Sequence, residues 1–231
     1  ISELSREDEF INITAIACHI GSQISDENLI LNSLDFIGEI ADDLSSNGHN
    51  IEYLDIGGGL GIRYKDEDLG DPQILLTQVN DRLKDKDYKI ILEPGRSIVG
   101  TAGILVTQIE YIKDAGDKKF AIIDAGMNDL IRPSLYEAWH GVKEVEQKDI
   151  EVATYDLAGP VCETGDVLAK DRELRILPND YLAIMDVGAY GSVMASNYNS
   201  RSKPVELLVS EDKVQVIKRR ENFEDLIALE T

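Results

Sequence analysis

Tyr88-Lys89-Ile90-Ile91-Leu92-Glu93-Pro94-Gly95-Arg96 decides how this chain is read. A short apolar run stops in a carboxylate, a rigid turn, a glycine and a guanidinium, which is how a buried strand ends. Charged groups at the end of such a strand are costly unless they are partnered or used. The cluster is therefore either a structural ion pair or a site whose glycine N–H and guanidinium suit an anion.

Working upstream, the same strand-end pattern occurs twice more with other residues. Ile11–Ile20 reads as a strand ending in His19-Ile20-Gly21-Ser22-Gln23, and Ile51–Ile56 as a strand ending in Gly57-Gly58-Gly59-Leu60-Gly61. Between them, Ser25 or Asp26 caps a helix whose apolar positions Leu29, Ile30, Leu34, Ile37, Ile40, Ala41 and Leu44 follow the helical period, and Gly48 closes it. A second helix starts at Asp71-Pro72, a cap followed by a first-turn proline, with Leu75, Leu76, Val79 and Leu83 on one side. The strand ends at His19, Gly58 and Glu93 lie 39 and 35 residues apart, about the length of one strand–helix unit. Alternating strands and helices imply a parallel sheet with its function at the C-terminal strand ends. A closed eight-unit barrel takes about 250 residues. The region through Arg96 is then either a small open sheet or the last units of a barrel that starts outside the chain.

Downstream of about Thr101 the helical period fades. Ile104–Ile112, Phe120–Ile123, Glu151–Leu157, Tyr181–Val187 and Pro204–Val209 are short β-rich runs, with Val214–Lys218 as a further candidate. Turn signals separate them at Asp114-Ala115-Gly116-Asp117, Gly159-Pro160, Pro178-Asn179-Asp180 and Gly188. This half reads as a mostly antiparallel β domain, giving a division into residues 1–102 and 103–231.

Composition limits the possible partners. The 231 residues carry 23 basic and 44 acidic side chains, a net charge of −21. Such a surface repels nucleic acid and anionic membrane, so neither is expected as a partner. No apolar run approaches the ~20 residues needed to span a bilayer. Two cysteines, Cys18 and Cys162, are too few for a disulfide framework and fit a reducing, cytoplasmic setting. An acidic protein that binds an anion must gather its arginines locally, which singles out Arg63, Arg96, Arg132 and Arg201.

Each remaining motif has an ordinary reading beside a functional one. His19 with Ser22 suits a binding loop or a plain βα turn. Gly57-Gly58-Gly59 suits close approach of amides to an anion or a tight turn, and it lacks the lysine of a Walker loop. Arg132 and Tyr136 within Asn128-Asp129-Leu130-Ile131-Arg132-Pro133-Ser134-Leu135-Tyr136 are surface decoration or a substrate grip. Cys162-Glu163 is a small buried hydrophobe beside a carboxylate, or a thiol placed for chemistry. Gly188-Ala189-Tyr190-Gly191 with Ser196, Asn197-Tyr198-Asn199 and Arg201 suits a pocket lining or a hairpin.

Taken in order, CHIGSQI, LDIGGGLGI, EPGRSIVG, DAGMNDLIRPSLY, GPVCETGD and GAYGSVMASNYNSR resemble the motifs of the diaminopimelate decarboxylases, over essentially all 231 residues. These are pyridoxal 5'-phosphate (PLP) enzymes with an alanine-racemase-like (β/α)8 barrel of TIM type followed by a β domain. The resemblance implies α/β architecture: the C-terminal units of the PLP-binding barrel, then a mostly antiparallel β domain that completes the active site and the dimer interface. The Cys-Glu pair with NDLIRP resembles this branch more than the ornithine decarboxylases, and CETGD differs from the commoner CESGD only by Thr164 in place of Ser.

Carried over motif by motif, the resemblance assigns roles. His19 stacks on the cofactor ring. Ser22, Gly58 and the backbone of Gly95 and Arg96 hold the phosphate, Glu93 pairs with the pyridine nitrogen, and Tyr190 also faces the cofactor. Arg96, Arg132, Tyr136, Glu163 and Tyr190 grip the amino-acid substrate, and Cys162 is the catalytic acid that reprotonates its α-carbon. No metal is implied. Cys162 and Glu163 reach a neighbouring subunit's pocket, so the implied unit is a homodimer with shared sites. The family's cofactor-carrying lysine lies in a Tyr-Ala-x-Lys-Ala-type segment, and no such segment occurs here; Lys65, Lys89, Lys113 and Lys170 stand in other contexts. With Ile1 in place of an initiating methionine, the expectation is a C-terminal part of the enzyme, inactive by itself. The competing expectations are a decarboxylase of ornithine, arginine or carboxynorspermidine, and a non-catalytic product retaining only an anion pocket or dimerisation surface.

Overall fold

The computed structural model describes residues 5, 8 and 10–230; the expectation drawn from Ile1 lies outside them. It divides into two compact units, Ile1–Val99 and Gly100–Thr231. No helix among the described residues is long and apolar enough to cross a membrane.

In the first unit, three short strands, β1 (Ala15–Ala17), β2 (Tyr53–Asp55) and β3 (Lys89–Ile91), pair in parallel in the order β1-β2-β3. They are shorter than the apolar runs that announced them, because the ends of those runs leave the ladder to form the loops described below. Helix α1 (Glu27–Ser46) starts where the Asp26 side chain accepts the Asn28 N–H at 3.0 Å, and the chain turns away at Gly48 with φ +92°. Its Ile30, Leu31, Leu34, Ile37 and Ala41 are buried, whereas Leu29 is exposed. Helix α2 (Pro72–Leu83) is capped by Asp71, which accepts from Gln73 N–H at 2.8 Å. It buries Leu75 and Val79 but not Leu76. Both helices pack with Leu54 and Ile56 into one core, each fully buried aliphatic side chain adding about 1.5–3 kcal/mol. Ile16 and Ile90 lean on that core, while Ala15, Ala17, Lys89 and Ile91 point to the exposed face. The four-residue helix α3 (Arg96–Val99) follows β3.

The second unit is organised on a six-stranded sheet. Its strands are β4 (Leu105–Asp114), β5 (Lys119–Ile123), β6 (Val142–Glu144), β7 (Ala153–Ala158), β8 (Val167–Leu174) and β9 (Tyr181–Ile184), in spatial order β6-β9-β4-β5-β7-β8. Every pair is antiparallel except β5 with β7, which is parallel. A short helix, α4 (Arg132–Tyr136), lies between β5 and β6. The hairpin β10 (Glu206–Ser210) with β11 (Lys213–Lys218) and a capped final helix, α5 (Phe223–Ile227), follow. Ile109, Ala121, Ile123, Leu157, Leu168, Leu182 and Ile184 fill the core.

Two strands here were not expected from the sequence, β6 and β8, and both are edges of the sheet. The edges approach one another: Arg175 N–H donates to Glu144 Oε1 at 2.8 Å, and the Arg172 guanidinium lies 4.6 Å from the centroid of the Trp139 ring.

Candidate functional site

The glycine triplet of the first unit lets its three strand ends come together. Gly57 has φ +68°, and a β-carbon there would sit 2.7 Å from the Cys18 carbonyl oxygen and 2.9 Å from His19 Nδ1. At Gly58 a β-carbon would collide with the Glu93 carbonyl oxygen. Only glycine permits this approach. The backbone then locks it: Glu93 N–H donates to Gly57 O at 2.8 Å and Ile24 N–H to Gly59 O at 2.8 Å. Gln23, at φ +60°, exchanges two hydrogen bonds with the backbone of Ile62, at 2.6 and 3.1 Å.

The side chains expected at this site gather accordingly. Arg96 reaches back to Ser22 Oγ (3.0 Å from Nη2) and to the Tyr64 hydroxyl (2.6 Å from Nη1). Glu93 is exposed, and among the described residues no ion pair joins it to Arg96. Gly95 and Arg96 open α3, so their N–H groups precede the first backbone bonds of the turn, which run from Ile98 and Val99 to Gly95 O.

Gly58 N–H donates to His19 Nδ1 at 3.2 Å. In this arrangement Gly58 orients the imidazole and, in the neutral ring, leaves the proton on Nε2. Tyr64 was missed, because it lies in an irregular loop and its partner Arg96 is 32 residues away.

In the second unit the expected residues sit on two loops and a short helix. Arg132 is buried, with Nη1 2.8 Å from His140 Nε2. The other ring nitrogen of His140, Nδ1, lies 2.8 Å from the Met185 carbonyl oxygen. A carbonyl only accepts and a guanidinium only donates, so the proton of His140 is on Nδ1 and its ring is neutral. Tyr136 and Tyr190 are exposed, and Tyr190 takes φ +60°. A left-handed backbone is a costly state for an aromatic residue, and such strain concentrates at working sites. Cys162 and Glu163 are exposed, with the Tyr198 hydroxyl 3.4 Å from Glu163 Oε2.

Beneath these groups lies a polar network built on Arg201, one of the arginines singled out in the sequence. Arg201 donates to Asn128 Oδ1 at 2.9 Å and to the Asp124 carbonyl at 2.7 Å, and lies 3.9 Å from the Asp129 carboxylate. Asp129 accepts the Gly126 N–H at 2.9 Å. Burial pushes its carboxyl above the ordinary value, opposed by that N–H and by the Arg201 charge. Asp166, 3% exposed, is raised in the same way and accepts two backbone N–H groups.

Two units so built, a glycine-laced set of parallel strand ends and an antiparallel sheet bearing an Arg loop and a Cys-Glu loop, match a known class. The chain belongs to the pyridoxal-dependent decarboxylases: the family model described as "Pyridoxal-dependent decarboxylase, C-terminal sheet domain" matches residues 24–188. The curated diaminopimelate decarboxylase of Aquifex aeolicus is 48% identical over 95% of this chain, and the match covers 53% of that protein. A crystal structure of the Helicobacter pylori diaminopimelate decarboxylase complexed with L-lysine superimposes on 99% of the chain with a TM-score of 0.93 at 41% identity, covering 57% of the other chain. The enzyme of M. jannaschii in co-complex with L-lysine gives 0.94 and 40% over 99% of this chain and 54% of its own. The chain thus spans about half the length of the relatives it matches.

Proposed function

We propose that the protein to which this chain belongs decarboxylates meso-2,6-diaminopimelate to L-lysine and CO2, the last step of lysine biosynthesis, with PLP as cofactor. The observation that carries the reading is the co-linear set of motifs, with Cys162-Glu163 on a loop and Arg132 on the short helix α4 of one domain; the relatives named for this activity support it.

The residues present fit the cofactor. Ser22, Arg96 and the N–H groups of Gly95 and Arg96 offer donors for a phosphate. His19, its ring oriented by Gly58, would lie against the cofactor ring, and the exposed Glu93 carboxylate would hold a proton at the pyridine nitrogen. When bound, the cofactor supplies an electron sink for the pair released as the α-carboxylate leaves. Arg132, with Arg96, Tyr136 and Tyr190, would grip the substrate; a guanidinium suits a distal carboxylate because it binds both oxygens. Glu163 would read the distal ammonium, and Cys162 would deliver a proton to the α-carbon. Residues 1–102 are read as the end of a TIM-type barrel and residues 103–231 as the β domain of a cytoplasmic homodimer with shared sites.

The test is CO2 release by the full-length protein from diaminopimelate, ornithine, arginine and carboxynorspermidine. A preference for diaminopimelate is expected; a preference for any of the other three sinks the assignment. Since no Tyr-Ala-x-Lys-Ala-type segment occurs, a polypeptide of these 231 residues is expected to be inactive and to yield no stoichiometric pyridoxyl-lysine after borohydride treatment with PLP.

A further inference from the structure

We propose that Asp166 is a positioning residue that holds the Cys162-Glu163 loop in register with the segment bearing Arg132, and that position 159 is glycine to admit its carboxylate. The kinetic part of this proposal rests on the decarboxylase reading above.

The buried carboxylate of Asp166 divides its two oxygens between two loops that are far apart in sequence. Oδ1 accepts the Met127 N–H and Oδ2 the Val161 N–H, each at 2.6 Å. The first belongs to the segment that runs into α4 and Arg132; the second is the residue before Cys162. The main chain of Asp166 continues the clamp, since its N–H donates to Glu163 O at 3.1 Å and its carbonyl accepts from Gly159 N–H at 2.9 Å. Ser134 Oγ, on α4, adds a bond to Gly165 O at 2.5 Å. The Cys162 and Glu163 side chains are exposed, and Asp166 fixes their loop from below.

Gly159 completes the arrangement. A β-carbon there would lie 2.5 Å from Asp166 Oδ1 and would overlap Oδ2 as well. Burial raises the Asp166 carboxyl above its ordinary value, while Val161 N–H, Met127 N–H and the Arg201 charge oppose the rise. An acidic side chain kept where its charge is disfavoured is retained for what it holds. An amide cannot replace it, because one of its two ends would present N–H to N–H.

The full-length protein carrying Asp166→Asn is compared with wild type and with Asp156→Asn. Asp156 is a buried carboxylate of the same sheet that accepts from Lys118 Nζ and Asp171 N–H, away from both loops. Three readouts are taken: kcat and KM for diaminopimelate, the cofactor absorbance, and the pH profile of Cys162 alkylation by iodoacetamide, followed by peptide mass. In Asp166→Asn, kcat is expected to fall on the order of 10²-fold with the chromophore retained, the scale of loss that about 1 Å of misplacement causes. The Cys162 alkylation profile is expected to move away from wild type, whereas Asp156→Asn leaves it in place. Wild-type kcat and alkylation in Asp166→Asn, or equal losses in both variants, overturn the proposal. Should Asp166→Asn fail to fold, Gly159→Ala takes its place and must show the same shift in Cys162 alkylation; a wild-type profile there overturns it too. If wild-type protein releases no CO2 from diaminopimelate, the functional reading falls, and the alkylation comparison still decides the role of Asp166.

Discussion

The two units hold their functional residues by opposite means. In the first, backbone does the holding: glycines let the strand ends touch, main-chain bonds lock them, and His19, Ser22 and Glu93 stand exposed on top. In the second, buried side chains do it: Asp166, Asp129, Asn128 and His140 lie under the exposed Cys162, Glu163 and Tyr136. The sheets differ likewise. Parallel sheets are normally covered on both faces; in β1-β2-β3, Ile16, Leu54 and Ile90 meet the core of α1 and α2, while Ala15, Ala17, Lys89 and Ile91 are on the other side of the strands. The second unit's sheet has its edges tied through Glu144 and Arg175. An exposed strand edge is a template for further pairing. The lesson is that both units tie residues far apart in sequence, but the first does so through glycine-rich motifs that show in the sequence and the second through buried side chains that do not.

The comparison can be broken most directly by separating the units. Residues 100–231 expressed alone should unfold in one cooperative thermal transition by calorimetry, and residues 1–99 alone should aggregate or melt without one. The reverse result would overturn the contrast. A smaller effect is expected from single side chains. His140→Ala deprives the buried Arg132 of one acceptor and should cost about 2 kcal/mol in urea unfolding. Ser22→Ala, the exposed partner of Arg96, should stay within about 0.5 kcal/mol. Equal costs would erase the distinction between buried and exposed ties.

The smallest effect concerns pH. Hydrogen bonds from Arg219 lower the carboxyl of Asp225, in α5, to about 2. A carboxyl lowered in the folded state stabilises above its unfolded value, and the contribution is lost as pH falls through the folded value. The final helix should therefore loosen between about pH 4 and pH 2. A carboxyl NMR titration of Asp225 should show a midpoint near 2, moving upward in Arg219→Met; an ordinary midpoint in wild type contradicts this.

The first unit was legible because its signals are chemical and local. Asp26 and Asp71 cap the helices their positions announced, Gly48 ends one, and the three strand-end motifs converge. The second unit was read only in part. β6, with Lys143 and Glu144, and β8, with Lys170, Asp171, Arg172 and Glu173, are edge strands, and edges carry charges that hide the strand pattern. His140 went unnoticed because its role depends on Met185, 45 residues on, and Asp166 because its carboxylate serves Met127, 39 residues back.

The parallel pairing of β5 with β7 carries a final consequence. Parallel neighbours cannot be joined by a hairpin, so residues 124–152 must make an excursion. They travel out to β6 at the far edge and come back to β7. Asn128, Asp129, Arg132, Tyr136 and His140 all lie on that excursion. Topology has thus gathered these groups on a single connection, which is itself anchored in the ladder through β6 and in the core through Ala125 and Leu130.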